Sequence, residues 1–144
     1  MIDRLFDTPA MKVLARALSA SGLNHQVIAH NLANVDTPGF KRSEVLFQSK
    51  LAAALAEQES QGTVLQGART DARHLPIGSP ADPAAVTPEV VVRAETTLRP
   101  DGNNVDLDAE MVKLSENTLM YQSLAQLVHT KFSQLRSVIT EGRK

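Results

Sequence analysis

Apolar residues near both ends of this 144-residue chain recur at alternating steps of three and four positions. One series runs from Met11 to Val35 and the other from Leu107 to Ile139. Such spacing keeps one side of a helix turned towards a partner helix. It predicts two long amphipathic helices, from about Pro9 to about Asn34 and from Asp106 to about Thr140. The predicted seam between the helices consists of Leu14, Leu18, Ile28, Leu114, Tyr121, Val128, Phe132 and Leu135.

Capping signals mark where each predicted helix begins. Thr8 can cap the first helix with its side chain, and the missing N–H of Pro9 is harmless at the first helical position. Asp106, Asp108 and Glu110 open the second helix, where negative charge is favoured by the helix dipole. No glycine or proline interrupts this second helix, so it is predicted to be longer than most helices of compact domains.

The middle of the chain, residues 57–105, has a composition that opposes long helices. It holds five of the seven prolines and four of the seven glycines, and it contains no aromatic residue. We expect a loop there, with one strand over Val90–Leu98, because β-branched residues are concentrated in it and a turn sequence follows. A short helix is predicted over Glu44–Ala56, since leucine and alanine favour helix.

Together these elements predict a mainly α fold. The two long helices pair as an antiparallel coiled-coil hairpin, with an irregular, short-β segment between them. One assembly domain is expected, with a helical segment over residues 1–56, a flexible loop over 57–105 and a long helix over 106–144. Two helices alone bury little apolar surface for the entropy lost on folding. We therefore expect them to complete their burial against other subunits; the alternative is a small monomeric helical hairpin.

Composition excludes several classes of function. The chain has no cysteine, which rules out disulfides and thiolate zinc sites. Its net charge of −1 lacks the basic excess typical of nucleic-acid binding, so no nucleic-acid partner is expected. Charges interrupt the apolar residues of the first twenty positions, and no stretch approaches the length of a membrane span. If the protein leaves the cytoplasm, we expect a route without a cleaved signal peptide.

No residue pattern predicts a catalytic, cofactor or metal site. His25 and His30 are five positions apart, so they do not share a helical face as a zinc pair would. The stretch DGNNVDLDAEMV has Asp106 where a calcium loop needs glycine and Val112 where it needs glutamate, so an acidic helix start explains it better. The sequence contains no nucleophile elbow, phosphate-binding loop or dinucleotide fingerprint. An enzyme is therefore not expected.

The sequence HNLANVDTPGF, residues 30–40, stops the first helix abruptly. Thr37 precedes a proline and is therefore disfavoured in helical geometry. Pro38 and Gly39 fit the two central positions of a type II turn, where glycine supplies the positive φ. Asn34 is predicted to cap the helix in a left-handed conformation, and Phe40 can fold back on the helix end. On spacing alone, these residues are simply a well-made helix stop.

The same residues resemble the N-terminal signature of the axial proteins of the bacterial flagellum, which include rod, hook and hook-associated proteins. The C-terminal stretch, from DGNNVDLDAEM to KFSQLRSVI, is similar to that of one group among them, the proximal subunits of the flagellar basal-body rod. The resemblance covers roughly residues 1–56 and 100–144. The residues that match the assembly signature are Asn31, Leu32, Ala33, Asn34, Thr37, Pro38, Gly39 and Phe40.

The resemblance implies a structural subunit whose terminal helices pair as a coiled coil. Many copies would stack helically into a hollow rod that transmits torque and encloses an export channel. The implied partners are copies of the chain, other rod subunits, the membrane-ring protein with its small rod adaptor, and the flagellar type III export machinery. The implied location is the periplasmic rod of the basal body, reached without a cleaved signal peptide.

Two alternatives stay open at the level of sequence. One is another subunit of the flagellar rod. The other is a soluble coiled-coil adaptor or binding module whose loop recognises its partner. A stable, fully helical dimer in sedimentation and circular dichroism would favour the adaptor, whereas a weakly ordered monomer that gains helix on assembly would favour the rod subunit.

Overall fold

A computed structural model describes residues 8–60, 82–94 and 99–141 of the chain. Within these ranges the chain forms three α-helices, one short 3-10 helix and a two-stranded sheet. Residues 61–81, which belong to the predicted loop, lie outside the described part. The elements in chain order are α1 (Pro9–Ala33), β1 (Ser43–Leu46), α2 (Gln48–Ser60), the 3-10 helix (Pro83–Ala85), β2 (Glu89–Val92) and α3 (Leu107–Glu141).

The two long helices, α1 and α3, lie side by side and run in opposite directions. The side chains of Ser21 and Asn117 are hydrogen-bonded, and so are those of Asn31 and Glu110. A later residue of α1 thus meets an earlier residue of α3, which makes the pair antiparallel. The predicted mainly α hairpin of N- and C-terminal helices is confirmed.

Both long helices begin where the capping signals predict. The Met11 N–H donates to Oγ1 of Thr8 at 3.4 Å, and Pro9 is the first helical residue. The Oδ1 atom of Asp106 accepts from the backbone N–H groups two and three residues later, at 3.0 and 3.3 Å. Each cap satisfies N–H groups that have no partner inside the helix.

A short antiparallel sheet joins the segment after α1 to the segment before α3. Ser43 lies opposite Val92, and Leu46 lies opposite Glu89. Lys50, in the first turn of α2, forms an ion pair with Glu89, and this hydrogen bond and charge hold the pKa of the Glu89 carboxyl below its usual value. Since β1 also contacts α1, the sheet ties the described part of the middle segment to the helical hairpin.

The structure corrects two predictions for the middle segment. The helix predicted over Glu44–Ala56 is displaced, because its first residues form β1 and α2 continues to Ser60. Pairing with a valine-rich strand outweighs local helix propensity at this point. The strand predicted over Val90–Leu98 begins at Glu89 and ends at Val92, while residues 95–98 lie outside the described residues.

The buried apolar core of the described chain is small. Six apolar residues are buried, whereas ten large apolar side chains of α3 stay exposed. Polar residues, including Asn31, Asn103 and Glu110, occupy part of the interior. Because apolar burial is the main favourable term in folding, a single copy has only a modest driving force to fold alone. The buried apolar residues are Ala20, Ile28, Phe47, Ala54, Ala84 and Val105.

Gly22 lies in the middle of α1, where the described chain leaves room for a larger side chain. A Cβ added there would meet no atom within 4 Å. Because alanine favours helix over glycine, we expect Gly22→Ala to raise the free energy of unfolding by about 0.5–1 kcal/mol. Urea denaturation followed by circular dichroism measures this change. Gly39→Ala should have the opposite sign, because Gly39 has a φ of +74°, and a loss of stability in Gly22→Ala would contradict the open surroundings of Gly22.

Candidate assembly site

The predicted seam residues differ widely in how far the hairpin buries them. Ile28 is buried, whereas Tyr121 and Phe132 are 45% and 48% exposed. On α3, Glu110 and Asn117 are buried and lie seven positions apart. At these two places the most buried residue of α3 lies one position before the predicted apolar series, because a polar side chain with a partner on α1 occupies the contact. The half-buried seam residues are Leu14, Leu18, Leu114, Val128 and Leu135.

A polar cluster lies between the two helices near the middle of α1. Ser21 Oγ donates to Oδ1 of Asn117 at 3.0 Å, and Asn117 Nδ2 donates back to the Ser21 carbonyl at 3.0 Å. Asn24 Nδ2 also donates to Oδ1 of Asn117, at 3.2 Å. Such a reciprocal pair is satisfied only when the helices have this relative height. We infer that this polar cluster fixes how far one helix is shifted along the other.

The chain turn after α1 has the features predicted for a type II turn. Gly39 has a φ of +74°, and the Phe40 N–H donates to the Thr37 carbonyl at 3.3 Å. This bond places Pro38 and Gly39 at the two central positions of the turn. The Phe40 ring folds back on the helix end, with its centroid 5.4 Å from that of the His30 ring.

Asn34 caps the end of α1, but the prediction of a left-handed conformation is wrong. Its φ and ψ are −109° and 17°. The Nδ2 atom donates to the His30 carbonyl at 2.8 Å, and Oδ1 accepts from the Thr37 hydroxyl at 3.2 Å. Because the side chain itself satisfies a carbonyl at the helix end, a left-handed residue is not required there.

Asn31 is fully buried, with 0% exposure. Its Oδ1 accepts from the Ser43 N–H at 2.9 Å, and its Nδ2 donates to the Ser43 carbonyl at 2.8 Å. The side-chain amide therefore takes the place of a neighbouring strand along the edge of β1 that faces away from β2. The same Nδ2 donates to Oε2 of Glu110 at 3.0 Å. One side chain thus joins α1, β1 and α3.

Glu110 is a carboxylate buried near the beginning of α3, with 2% exposure. Its Oε2 accepts from Asn31, and its Oε1 accepts from Nζ of Lys113 at 2.6 Å. A buried charge is tolerated when it has such partners, because unpaired burial is costly. The Lys113 ammonium supplies the opposite charge, and the position near the N-terminus of α3 adds a favourable interaction with the helix dipole.

Asn103 is a second asparagine with 0% exposure, and it holds the turn from the opposite side. Its Nδ2 donates to the carbonyls of Asn34, Val35 and Thr37 at 2.9, 2.9 and 3.0 Å. Its Oδ1 accepts from the Val105 N–H at 2.7 Å. The exit of α1 is therefore closed by a residue that lies far downstream in the sequence.

Further hydrogen bonds join the same two segments. The Gly39 N–H donates to the Asp101 carbonyl at 2.8 Å, and the Arg42 N–H donates to Oδ1 of Asn104 at 2.7 Å. Asn104 Nδ2 donates to the carbonyl of Arg93, which follows β2, at 2.7 Å. Residues 101–104, which the sequence predicts only as a turn, therefore belong to the site.

Asp101 is held in its ionised form by its neighbours. Its Oδ1 accepts from the Asn103 N–H at 3.1 Å, and its Oδ2 pairs with Arg99 at 2.9 Å. The backbone hydrogen bond from Asn103, followed by the Arg99 guanidinium, holds the pKa of the Asp101 carboxyl below its usual value, although burial opposes this. The contact is therefore stabilising above the ordinary carboxyl pKa and weakens as the pH falls through the lowered one.

The remaining signature residues form an outer edge of the site. Leu32 and Phe40 are half-buried. The signature thus contains the buried amide of Asn31, the partly buried cap residue Asn34, and a surface that is left available. The exposed signature residues are Ala33, Thr37, Pro38 and Gly39.

The sequence holds only a weak signal for the buried polar residues. Asn24 and Asn31 are seven positions apart in α1, and Glu110 and Asn117 are seven positions apart in α3. This spacing places each pair on one face of its helix and indicates a polar contact along the seam. Asn103 has no comparable signal, since it lies in a loop.

Within the described ranges, no group of three or more histidine, aspartate and glutamate side chains is placed to hold a metal ion. None of the helices in these ranges is long and apolar enough to cross a lipid bilayer. An open groove of about 480 Å³ beside Glu110 is lined by Arg42, Glu44, Asp106 and Lys113 among others, and this mixture of charges favours neither an anion nor a cation.

The chain is similar to flagellar rod proteins along most of its length. The profile of the family described as "Flagella basal body rod protein" matches residues 11–41. The flagellar basal body rod protein FlgB of Bacillus subtilis (strain 168) is 35% identical over 130 residues, which cover 90% of this chain and 92% of that protein. FlgB of Borreliella burgdorferi is 32% identical over 124 residues, 86% of this chain and 90% of that protein. FlgB of Escherichia coli (strain K12) is 28% identical over 142 residues, 99% of each chain.

Proposed function

The chain belongs to the FlgB family of flagellar basal-body rod proteins, and we propose that it forms the proximal part of the rod by stacking helically with copies of itself. Its role is structural, as a subunit of the bacterial flagellar basal body that assembles with other rod subunits. In the proposed rod, the paired helices line the inner layer of a tube. The tube encloses the export channel and transmits torque along the rod.

The observation that carries this proposal is the apolar surface that α3 leaves uncovered. Tyr121 is 45% exposed and Ile139 is 60% exposed, although both belong to the apolar series of the helix. Exposed apolar surface of this extent marks a protein interaction surface. Contacts with neighbouring subunits supply the burial that one hairpin lacks. The exposed large apolar residues of α3 are Leu107, Met111, Val112, Leu119, Met120, Tyr121, Leu127, Phe132, Val138 and Ile139.

The seam and signature residues take different roles in the proposed rod. The buried and half-buried seam residues hold the hairpin together, whereas Tyr121 and Phe132 contact neighbouring subunits. Pro38, Gly39 and Phe40 direct the chain out of α1 towards the next copy. Because the two exposed surfaces differ, each copy packs head to tail on the next; in the proposed rod, the rotation between copies is one that does not close into a ring.

We propose that this subunit lies at the base of the rod. Its partners there are the membrane-ring protein and the small rod adaptor, and its carrier is the flagellar type III export machinery. The chain passes to the periplasm unfolded and without a cleaved signal peptide. The small buried apolar core supports this route, since little free energy holds a single copy folded before assembly.

Deletion of the gene from its own bacterium tests the proposed function. We expect the deleted strain to lose swimming and to lack intact rods in isolated basal bodies. The wild-type gene supplied on a plasmid should restore both, and the chain should be found in the purified basal bodies. Normal rods in the deleted strain would contradict the proposal.

Tyr121→Glu is expected to block assembly without unfolding the hairpin. A carboxylate at this half-exposed position opposes burial against a neighbour, because a charge must then lose its hydration. The free energy of unfolding of the single chain should change by less than about 0.5 kcal/mol, as is usual for exposed positions. Soft-agar swimming and urea denaturation measure the two effects.

The matched control for this variant is Gln122→Glu, which adds the same charge one position along the exposed surface of α3. It should swim like the wild type. Equal losses of swimming in the two variants would show that the added charge causes the loss, rather than disruption of the exposed apolar surface of α3.

A further inference from the structure

The turn after α1 depends on a loop that is distant in the sequence. Thr37 and Asn103 are 66 positions apart, yet the Asn103 side chain donates to the Thr37 carbonyl. We infer that Asn103 is a positioning residue, through which the fold of the N-terminal signature depends on the C-terminal segment. The turn takes its folded shape only in a chain whose residues 101–105 are in place.

The hydrogen bonds themselves point to this dependence. The bonds within the turn, from Thr37 N–H to the Asn34 carbonyl and from Phe40 N–H to the Thr37 carbonyl, are 3.1 and 3.3 Å long. The bond from Gly39 N–H to the Asp101 carbonyl is 2.8 Å long. The Asn103 Nδ2 atom lies 2.9–3.0 Å from three carbonyl oxygens, which share its two N–H groups. The loop thus adds hydrogen bonds to both the N–H and the carbonyl groups of the turn.

Burial makes the Asn103 amide hard to replace. Its exposure is 0%, so water does not reach the place where its Nδ2 lies. Without this group, the carbonyls of Asn34, Val35 and Thr37 each lose a contact, and those of Asn34 and Thr37 keep only the longer bonds from backbone N–H groups within the turn. Loss of hydrogen bonds at a site that water does not reach is unfavourable, so the turn opens more readily.

This coupling has a consequence for assembly, and that consequence rests on the proposed function. A subunit that arrives as an unfolded chain cannot shape its N-terminal signature until residues 101–105 have also arrived. The exposed edge at Pro38 and Gly39 is then presented only by complete subunits. Partial chains that lack residues 101–105 are therefore kept out of the rod.

Amide hydrogen exchange on the purified full-length chain tests the coupling without a flagellar readout. Asn103→Asp keeps the size and the acceptor of the side chain but removes both N–H donors. We expect the Gly39 amide to lose about tenfold or more of its protection. The Ile28 amide, inside α1 and before the turn, should keep its protection. Unchanged protection at Gly39 overturns the inference.

Asn24→Asp is the matched control, because it makes the same charge change at a half-buried asparagine that donates one bond of 3.2 Å. Gly39 should keep wild-type protection in this variant, and an equal loss there overturns the specific role of Asn103. Asn104→Ala should lower protection mainly at Arg42, whose N–H donates to Asn104 Oδ1. A loss at Gly39 as large as in Asn103→Asp also overturns that role.

A measurement on the wild type keeps the inference testable if Asn103→Asp unfolds. The Val105 N–H donates to Oδ1 of Asn103 on the loop side, whereas Gly39 lies on the turn side. If turn and loop are one unit, the two amides share one opening free energy and one dependence on denaturant. Separate opening of Gly39 overturns the inference. Neither result depends on the gene-deletion experiment, so the two proposals fail independently.

Discussion

Asn31→Ala is expected to remove roughly 3 kcal/mol from the free energy of unfolding, a large share of the roughly 5–15 kcal/mol typical of a folded domain. The substitution removes the bonds of 2.8 and 2.9 Å to Ser43 and the bond of 3.0 Å to Glu110. It leaves the buried Glu110 carboxylate with the hydrogen bond from Lys113 but without the one from Asn31. Each polar group left without a partner adds about 1–3 kcal/mol to the loss. Urea denaturation followed by circular dichroism measures it.

Two further variants show where this loss arises. Asn24→Ala, at a half-buried site with one bond of 3.2 Å, should lose less than about 1 kcal/mol. Combining Asn31→Ala with Glu110→Gln should cost less than the sum of the single changes, because a neutral amide is less unfavourable to leave unpaired than a carboxylate. Equal losses in Asn31→Ala and Asn24→Ala would contradict the role of Asn31 as the junction of three elements.

The long helices and their pairing could be predicted because their signals are local and repeated. The seven-residue pattern recurs several times in each helix, and Thr8 and Asp106 mark where the helices begin. The turn at Pro38 and Gly39 is equally local, since the positive φ follows from the residue types themselves. No distant contact has to be known to predict any of these features, although residues 101–105 hold the turn in the folded chain.

The features that could not be predicted depend on contacts between distant segments. Glu110 has the sequence context of a solvated helix start, and it is buried because Asn31 and Lys113 satisfy its two oxygens. Asn103 lies in a short turn whose sequence says nothing of the three carbonyls that it meets. Val45 and its neighbours form a strand because β2 pairs with them, which local helix propensity does not reveal.

The displaced contact face of α3 has the same origin, and it bears on assembly. Ser21 and Asn117 fix how the helices are rotated and how far one is shifted along the other. With that rotation fixed, Tyr121 and Ile139 lie off the contact face and stay exposed. The polar contacts thus determine which apolar residues of α3 stay exposed. The hairpin buries less apolar surface within one chain, and the exposed surface is available for contacts with neighbouring subunits.

Gly39→Val is expected to abolish rod assembly and swimming. Gly39 has a φ of +74°, where a β-branched residue is strongly disfavoured. A Cβ at this position meets no atom of the described chain within 4 Å, so backbone strain rather than a clash is the cause. Relief of the strain must change the turn, and with it the 2.8 Å bond from the Gly39 N–H to the Asp101 carbonyl. Soft-agar swimming and the content of isolated basal bodies measure the result.

A graded series at Gly39 separates backbone strain from side-chain size. Asparagine tolerates the left-handed region, so Gly39→Asn should keep most of the assembly, Gly39→Ala less and Gly39→Val none. The strain of roughly 1–2 kcal/mol for an ordinary residue alters the turn without melting the long helices. Circular dichroism should therefore show the same helix content in all three variants. Normal swimming of Gly39→Val would contradict the role of the turn in assembly, whereas an equal loss in Gly39→Asn would make size the cause.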